Sequence, residues 1–388
     1  MKSLFGYGIT TKEIAKSGEW HIFDDKFKEI SFDKQGNKLL PSSLFDENKS
    51  KLEITSPGIA PNHPLIKKAK NLISELDFYY NPNIFQIWIT GTNGKTTTTQ
   101  MINYLLKNFE MGGNIGIPLG KLNKNKKWVI EVSSFQLFYT KYAKPNIFVI
   151  LPLHEDHISW HGSFEEYKKA KLSPLKRMTK RDIVLMPKEL DTKTDAFKIL
   201  YENEEDLINY FNIKKTEFEI PFLVDELLAK AVYKILYFKE KSLKNFNIDP
   251  HKLEKIIDSK NRIWVDDSKA TNVDATFNAL KRYKNKKIHL ILGGDDKGQN
   301  FENLFKYMQK SNITLYIIGE KRDNFINLAK EYNIPFFDVY NIENAVKKIY
   351  KNLKIDEITL LSPACASLDQ FKNYKKRGEE FKKCIKSL

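Results

Sequence analysis

An apolar run that ends in glycine, lysine and threonine, 87-IWITGTNGKTTTTQ-100, restricts the fold more than any other stretch of this chain. Ile87, Trp88 and Ile89 have the composition of a buried strand end, and Met101, Ile102, Leu105 and Leu106 share one helical face. A strand that passes so quickly into a helix needs glycines in its turn, here Gly91 and Gly94. Backbone N–H groups turned inward there, together with the positive end of the helix, make a cradle for phosphate. Lys95 is placed to reach the β and γ phosphates, and the Thr96 hydroxyl to ligate Mg²⁺. The strict phosphate-loop pattern wants a glycine where this chain has Ile89, so the loop is a shortened variant. Gly91, Thr92, Asn93, Gly94, Lys95, Thr96 and Thr97 form the expected nucleotide cradle.

Strand-length and helix-length segments alternate on both sides of this loop. The first block, residues 1–83, opens with strand-like 4-LFGYGIT-10 and 20-WHIFDD-25, then the loop 55-TSPGIAPNHP-64 and a helix expected to run through Leu76. The second, residues 84–247, carries strands 127-KWVIEVSS-134, 146-NIFVILPL-153 and 182-DIVLMP-187. The third, residues 248–388, carries 262-RIWVDDS-268, 288-IHLILGG-294, 313-ITLYIIG-319 and 358-ITLLSPA-364. This alternation predicts an α/β fold of three domains with parallel sheets.

Composition narrows the function classes. No segment has a signal-peptide layout or transmembrane length, and two cysteines make no disulfide framework, so a cytoplasmic setting is expected. The net charge of +15 invites a nucleic-acid reading, yet only six of the 64 basic residues are arginine and the lysines are spread along the chain. Readers of bases and phosphates favour the arginine fork, so no nucleic-acid partner and no stable membrane insertion are expected.

Six further stretches carry polar residues, most of them directly after expected strands. Glu131 sits near a strand's C-terminal end, where open α/β sheets place ligands. In 154-HEDHISWH-161 three histidines fall within eight positions; zinc sites of such spacing normally lie on a helix, so an oxygen-rich Mg²⁺ site beside the phosphate loop is favoured. In 167-YKKAKLSPL-175 the lysines, taken alone, are a solvated helix face. The turn in 266-DDSKATNVDATFNAL-280 suits phosphate or ribose, and 293-GGDDKG-298 and 361-LSPACASLDQFKNYKKRG-378 place further polar loops on the same sheet edge.

On the motifs 91-GTNGKTT-97, 267-DSKATN-272 and 362-SPACASLDQFKN-373, the chain resembles the Mur ligases of peptidoglycan synthesis, and the last two motifs are characteristic of the D-glutamate-adding branch. The resemblance runs from Gly6 to Tyr374. It implies a Rossmann-like N-terminal domain that binds a UDP substrate, a central P-loop ATPase domain and a Rossmann-like C-terminal domain for the amino acid. The implied reaction joins D-glutamate to UDP-N-acetylmuramoyl-L-alanine through an acyl phosphate, in a monomer using ATP and two Mg²⁺ ions. By the same resemblance Thr96 and Glu131 hold the first Mg²⁺, His157 the second, and Lys171 is carbamylated into a further metal ligand. Asn114 touches the muramoyl substrate, Ser133 is a further substrate-binding residue, and Ile9, Thr10, Asp24, Asp25, Lys26, Ser56 and Gly58 line the uridine-diphosphate pocket. Asp267 and Lys269 face ATP, and Thr271, Lys297, Ser367 and Tyr374 hold the carboxylates of D-glutamate.

The chain departs from the family pattern at Lys252, where an ATP-contacting arginine is usual, at Tyr374 for phenylalanine and at Pro152 for asparagine. The paired asparagines that frame adenine have no match in 219-EIPFLVDELLAK-230, which leaves that pocket unassigned. A folylpolyglutamate synthase-like ligase and a basic nucleic-acid-binding ATPase stand as alternatives; the 56-SPGI-59 loop argues against the first.

Overall fold

The alternation resolves into three six-stranded sheets in a computed structural model that describes residues 1–388. The first holds β1 (Lys2–Phe5), β2 (Trp20–Phe23), β3 (Ser31–Phe32), β4 (Lys38–Leu40), β5 (Leu52–Thr55) and β6 (Leu72–Ile73), in the order β3-β4-β2-β1-β5-β6. The second holds β7 (Gln86–Thr90), β8 (Phe109–Gly113), β9 (Lys127–Glu131), β10 (Ile147–Ile150), β11 (Ile183–Pro187) and β12 (Phe197–Tyr201), in the order β12-β11-β10-β7-β9-β8. The third holds β13 (Glu254–Ile257), β14 (Ile263–Asp266), β15 (Ile288–Gly293), β16 (Ile313–Ile318), β17 (Phe336–Tyr340) and β18 (Ile358–Leu361), in the order β13-β14-β18-β15-β16-β17. The second sheet is wholly parallel; the expectation of parallel sheets fails only at the edge pairs β3–β4 and β13–β14, which are antiparallel.

Near-continuous apolar runs form the central strands because both faces are covered. Trp88, Ile130 and Phe148 sit side by side across β7, β9 and β10, each fully buried. From β7 the chain goes to edge strand β8, returns to β9, then crosses to β10 on the other side. The reversal opens a crevice at the C-terminal ends of β7, β9 and β10.

Two element boundaries differ from the sequence expectation. The run 4-LFGYGIT-10 is not one strand: it stops at Phe5, Gly6 takes φ +78°, and a helix begins at Ile9. The helix expected through Leu76 ends at Lys68. Leu72–Ile73 instead pairs with β5, and Ser74 then caps a new helical turn, Glu75–Phe78.

By compactness the chain divides into two units, Met1–Phe246 and Asn247–Leu388, so the first two sheets share one body. The short turn Glu75–Phe78 joins them. The Asp77 carboxylate accepts backbone N–H bonds from Lys141, Tyr142 and Ala143, and Glu75 accepts from Leu119 N at 3.0 Å. Burial pushes the Glu75 carboxyl up to about 7.

Candidate active site

The phosphate loop forms as the sequence predicts. Gly91 has φ +152° and Gly94 φ +81°, and the helix Lys95–Leu105 starts directly behind them. At Gly94 glycine is required twice over: the left-handed backbone disfavours a side chain, and an added Cβ would lie 2.3 Å from Asp225 Oδ1. The Lys95 ammonium folds back over its own loop, donating to the carbonyls of Gly91 at 2.9 Å and Thr92 at 2.7 Å. Thr96 Oγ1 donates to Glu131 Oε2 at 2.8 Å, and Asn114 Nδ2 donates to Glu131 Oε1 at 2.8 Å. Glu131 therefore gathers two other sequence-predicted residues on one buried carboxylate.

Lys171 overturns the reading of its segment as a solvated helix face. Lys168 and Lys169 do pair with Glu165 and Glu166 on the outside of the helix Phe164–Leu172. Lys171 turns inward and is 2% exposed. Its Nζ donates to the Gly91 carbonyl at 2.8 Å and to Thr90 Oγ1 at 3.3 Å, over the face of Tyr167 at 4.8 Å. Two lysines thus share the carbonyl oxygen of Gly91. Burial first, and the neighbouring Lys95 charge second, hold the Lys171 amine well below the usual lysine range. Lys95 is lowered too, again chiefly by burial.

The histidine-rich segment follows β10, and Ile158–His161 then makes one helical turn with His157 at its cap position. His157 has φ +55°, and its ring packs edge-on against Phe135 at 4.7 Å. The Asp156 carboxylate accepts from His157 N at 2.9 Å. His161 is buried, bonded through Nε2 to Ser134 Oγ at 2.9 Å, and burial lowers its imidazole to about 4. Ser133 is a helix cap: its hydroxyl accepts from Gln136 N and donates to Gln136 Oε1.

In the first sheet the predicted residues all follow the C-terminal ends of β1, β2 and β5. Asp24 Oδ2 accepts from Tyr7 N at 2.8 Å and Oδ1 from Lys26 N at 3.0 Å, tying the loop after β1 to the loop after β2. Asp25 bonds His63 Nε2 at 3.0 Å and the Ser42 hydroxyl. Ser56 packs under Gly6, Gly58 is exposed, and Ile9 and Thr10 open the helix Ile9–Ala15 with Ile9 71% exposed.

In the second unit Asp267, Lys269, Thr271, Lys297, Ser367 and Tyr374 cluster in segments that follow β14, β15 and β18. Asp267 is buried, accepting from Ser362 Oγ at 2.8 Å and Leu253 N at 3.2 Å, and burial raises its carboxyl to about 8. Lys269 Nζ lies 4.3 Å above the Tyr374 ring, and Lys252 pairs with Asp249 at 3.2 Å. Ser367 is buried, and Thr271 and Lys297 are half-buried.

The sequence reading missed three supporting residues that the structure makes prominent. Tyr167 bonds Thr92 Oγ1 through its hydroxyl at 2.9 Å; Asp225 accepts from Thr98 Oγ1 at 2.6 Å against the phosphate loop. Arg377, 1% exposed, donates to Ser268 Oγ and to the carbonyls of Ser268 and Cys365, bracing the loop that carries Lys269. All three lie inside segments singled out from sequence, but nothing in residue type alone tells a buried brace from a surface side chain.

Residues 89–249 match the Mur ligase middle domain. The chain is 49% identical to the UDP-N-acetylmuramoylalanine–D-glutamate ligase of Campylobacter jejuni, over 100% of this chain and 99% of that one. It is 42% identical to the Helicobacter pylori protein of the same name, over 98% of each. Among solved structures, the UDP-N-acetylmuramate-alanine ligase of Thermotoga maritima aligns with a TM-score of 0.56 at 17% identity, covering 99% and 98% of the two chains. A pseudomurein peptide ligase type C from Methanothermus fervidus gives 0.57 at 17% identity over 100% of both. These two likenesses concern the fold. Three α/β sheets and a lysine-bearing phosphate loop on the middle one are the Mur ligase architecture. Within that class the chain belongs to the UDP-N-acetylmuramoylalanine–D-glutamate ligase family, a family of enzymes.

Proposed function

We propose that this chain joins D-glutamate to the carboxylate of UDP-N-acetylmuramoyl-L-alanine at the expense of ATP, in cytoplasmic synthesis of the peptidoglycan precursor. Family membership supports the reaction class, and the single observation that carries the chemistry is the pair Lys95 and Lys171 on the Gly91 carbonyl beside the Thr96–Glu131–Asn114 set.

In this reading a carboxylate oxygen of the alanyl end attacks the γ-phosphorus of ATP, and ADP leaves. The neutral amine of D-glutamate then adds to the acyl carbon and loses its proton. Phosphate departs carrying the former carboxylate oxygen. Lys95 stabilises charge on the transferring phosphoryl group, where a preformed cation is worth far more than in water. Gly91 to Thr97 would cradle the nucleotide; by family resemblance Lys252 would meet ATP phosphates as a point charge instead of an arginine fork, and Asp267 and Lys269 would contact ATP.

The oxygen donors of Thr96 and Glu131 suit Mg²⁺, and His157 and Lys171 would hold a second ion. Bound there, Mg²⁺ would neutralise phosphate charge and orient its oxygens. Lys171 suits carbamylation because that reaction needs the neutral amine, which burial and the adjacent Lys95 favour. The polar loops of the first sheet, with Asp24, Asp25, Lys26, Ser56 and Gly58, would take the uridine diphosphate; Ile9 and Thr10 add the helix start there. Asn114 and Ser133 would border the muramoyl end, and Thr271, Lys297, Ser367 and Tyr374 would separate the two carboxylates of D-glutamate. The division into domains 1–83, 84–247 and 248–388, one sheet each, and a monomeric state belong to the same reading. No helix is long and apolar enough to cross a membrane.

Substrate labelled with oxygen-18 in the alanyl carboxylate tests the mechanism. One labelled oxygen should appear in inorganic phosphate for each amide formed; label retained wholly in unreacted and amide oxygen would exclude the acyl phosphate.

A further inference from the structure

Of the five tryptophans, four are core residues with satisfied indoles. Trp20, Trp88, Trp128 and Trp264 are at most 1% exposed, and their Nε1 groups donate to Ser17 Oγ, Gln86 Oε1, Asn123 O and Asp258 Oδ2 respectively. Trp160 is different on both counts. Its side chain is only partly buried, yet its Nε1 is shut away from solvent without a hydrogen-bond acceptor, and the Nδ1 of the adjacent His161 is in the same condition. Buried polar atoms are nearly always satisfied, so two orphaned nitrogens on consecutive residues call for an explanation.

Their position supplies one. Trp160 packs on Phe135 at 4.5 Å, the same ring that touches His157, and on Tyr139 at 6.0 Å, whose hydroxyl donates to the Ile59 carbonyl at 2.6 Å. Through these contacts it links His157, assigned above to the second Mg²⁺, with the 56–59 loop, assigned above to the uridine diphosphate of the acceptor. The turn that carries it, Ile158–His161, is bracketed by left-handed residues, His157 at φ +55° and Gly162 at φ +88°. A single turn between two such corners is held by little beyond its own side chains.

We propose that Trp160 is a substrate-positioning residue: when the acceptor binds, the Ile158–His161 turn shifts and the Trp160 indole N–H donates to an amide or carboxyl oxygen of the acyl–peptide portion. In the tautomer that donates Nε2–H to Ser134 Oγ, the His161 Nδ1 is an acceptor, and the two nitrogens together then match the C=O and N–H of a peptide unit. The inference rests on the acceptor assignment made above.

Tryptophan emission reads it directly, because the other four indoles lie in cores. Adding UDP-N-acetylmuramoyl-L-alanine without ATP should change the emission of the wild type and leave that of W160F unchanged, with binding followed in parallel by calorimetry. W160F keeps the ring and loses the donor; losing one such hydrogen bond should raise the acceptor KM by about tenfold, with kcat and the KM for ATP near wild type. Wild-type emission that stays constant while calorimetry records binding would overturn the proposal. So would a W160F enzyme with unchanged acceptor KM, which would assign the indole N–H to the faces of Phe138 and Tyr139. Absence of calorimetric binding in the wild type would instead refute the acceptor assignment itself, and the proposal with it.

Discussion

Lys171 sits one helical turn from Lys168 and two residues from Lys169, yet its surroundings are of another kind: 2% exposed, against an aromatic face, sharing a carbonyl with a second lysine. Lys171→Ala should therefore be nearly inactive, with partial rescue by short carboxylic acids that occupy the emptied position. Lys168→Ala and Lys169→Ala should stay close to wild type, as surface changes do. A steady-state assay of the three variants, with acetate or propionate added, checks both statements. Lys95→Ala should fold normally by circular dichroism and lose about 10²–10³-fold or more in kcat, the scale of removing one electrostatic donor from a transition state. The contrast between these lysines is where the sequence reaches its limit unaided. Composition and spacing make Lys168, Lys169 and Lys171 alike solvent residues; family resemblance singled out Lys171, and only the structure shows it turned inward onto Thr90 and Gly91.

Among the elements, the strand-to-helix turn at Gly91–Gly94 and the strand ends that aim polar loops were legible because glycine spacing and apolar runs encode them locally. The short strands were not. Leu72–Ile73 and Ser31–Phe32 have two residues each, too few to show a period, and exist only because β5 and β4 offer ladder partners. Gly94→Ala tests the legible part: an alanine there must adopt φ +81° and press on Asp225, at a cost of about 1–3 kcal/mol in stability, and with loss of ATP binding by calorimetry. Glu75 tests the joint between the first two sheets. Its carboxyl is raised from 4.5 to about 7 by burial, so its favourable contribution is full below 4.5 and is lost as pH rises through about 7. The difference amounts to roughly 3 kcal/mol at most. Thermal melts from pH 5 to pH 8 should show the wild type losing stability relative to Glu75→Gln, which has no proton to release; parallel curves would show that Glu75 ionises normally. Asp267, raised to about 8, acts in the same direction in the second unit.

At the scale of the whole molecule, each of the three sheets presents polar loops at the C-terminal ends of parallel strands, and the proposed function draws on all three. Asp24, Lys95 and Ser367, distant in sequence, each lie in a segment that follows the C-terminal end of a parallel strand of its own sheet. Charge does not enter it: lysines account for 58 of the 64 basic residues, and many pair locally within helices. The central claim concerns which amine the acyl phosphate meets. It is tested most directly by phosphate release from ATP in the presence of UDP-N-acetylmuramoyl-L-alanine, with D-glutamate, L-glutamate, L-alanine and diaminopimelate compared at equal concentration. Release that depends on D-glutamate, with at most background for the other three, is the predicted result. Equal release with L-glutamate, or release that needs no amino acid, would contradict it.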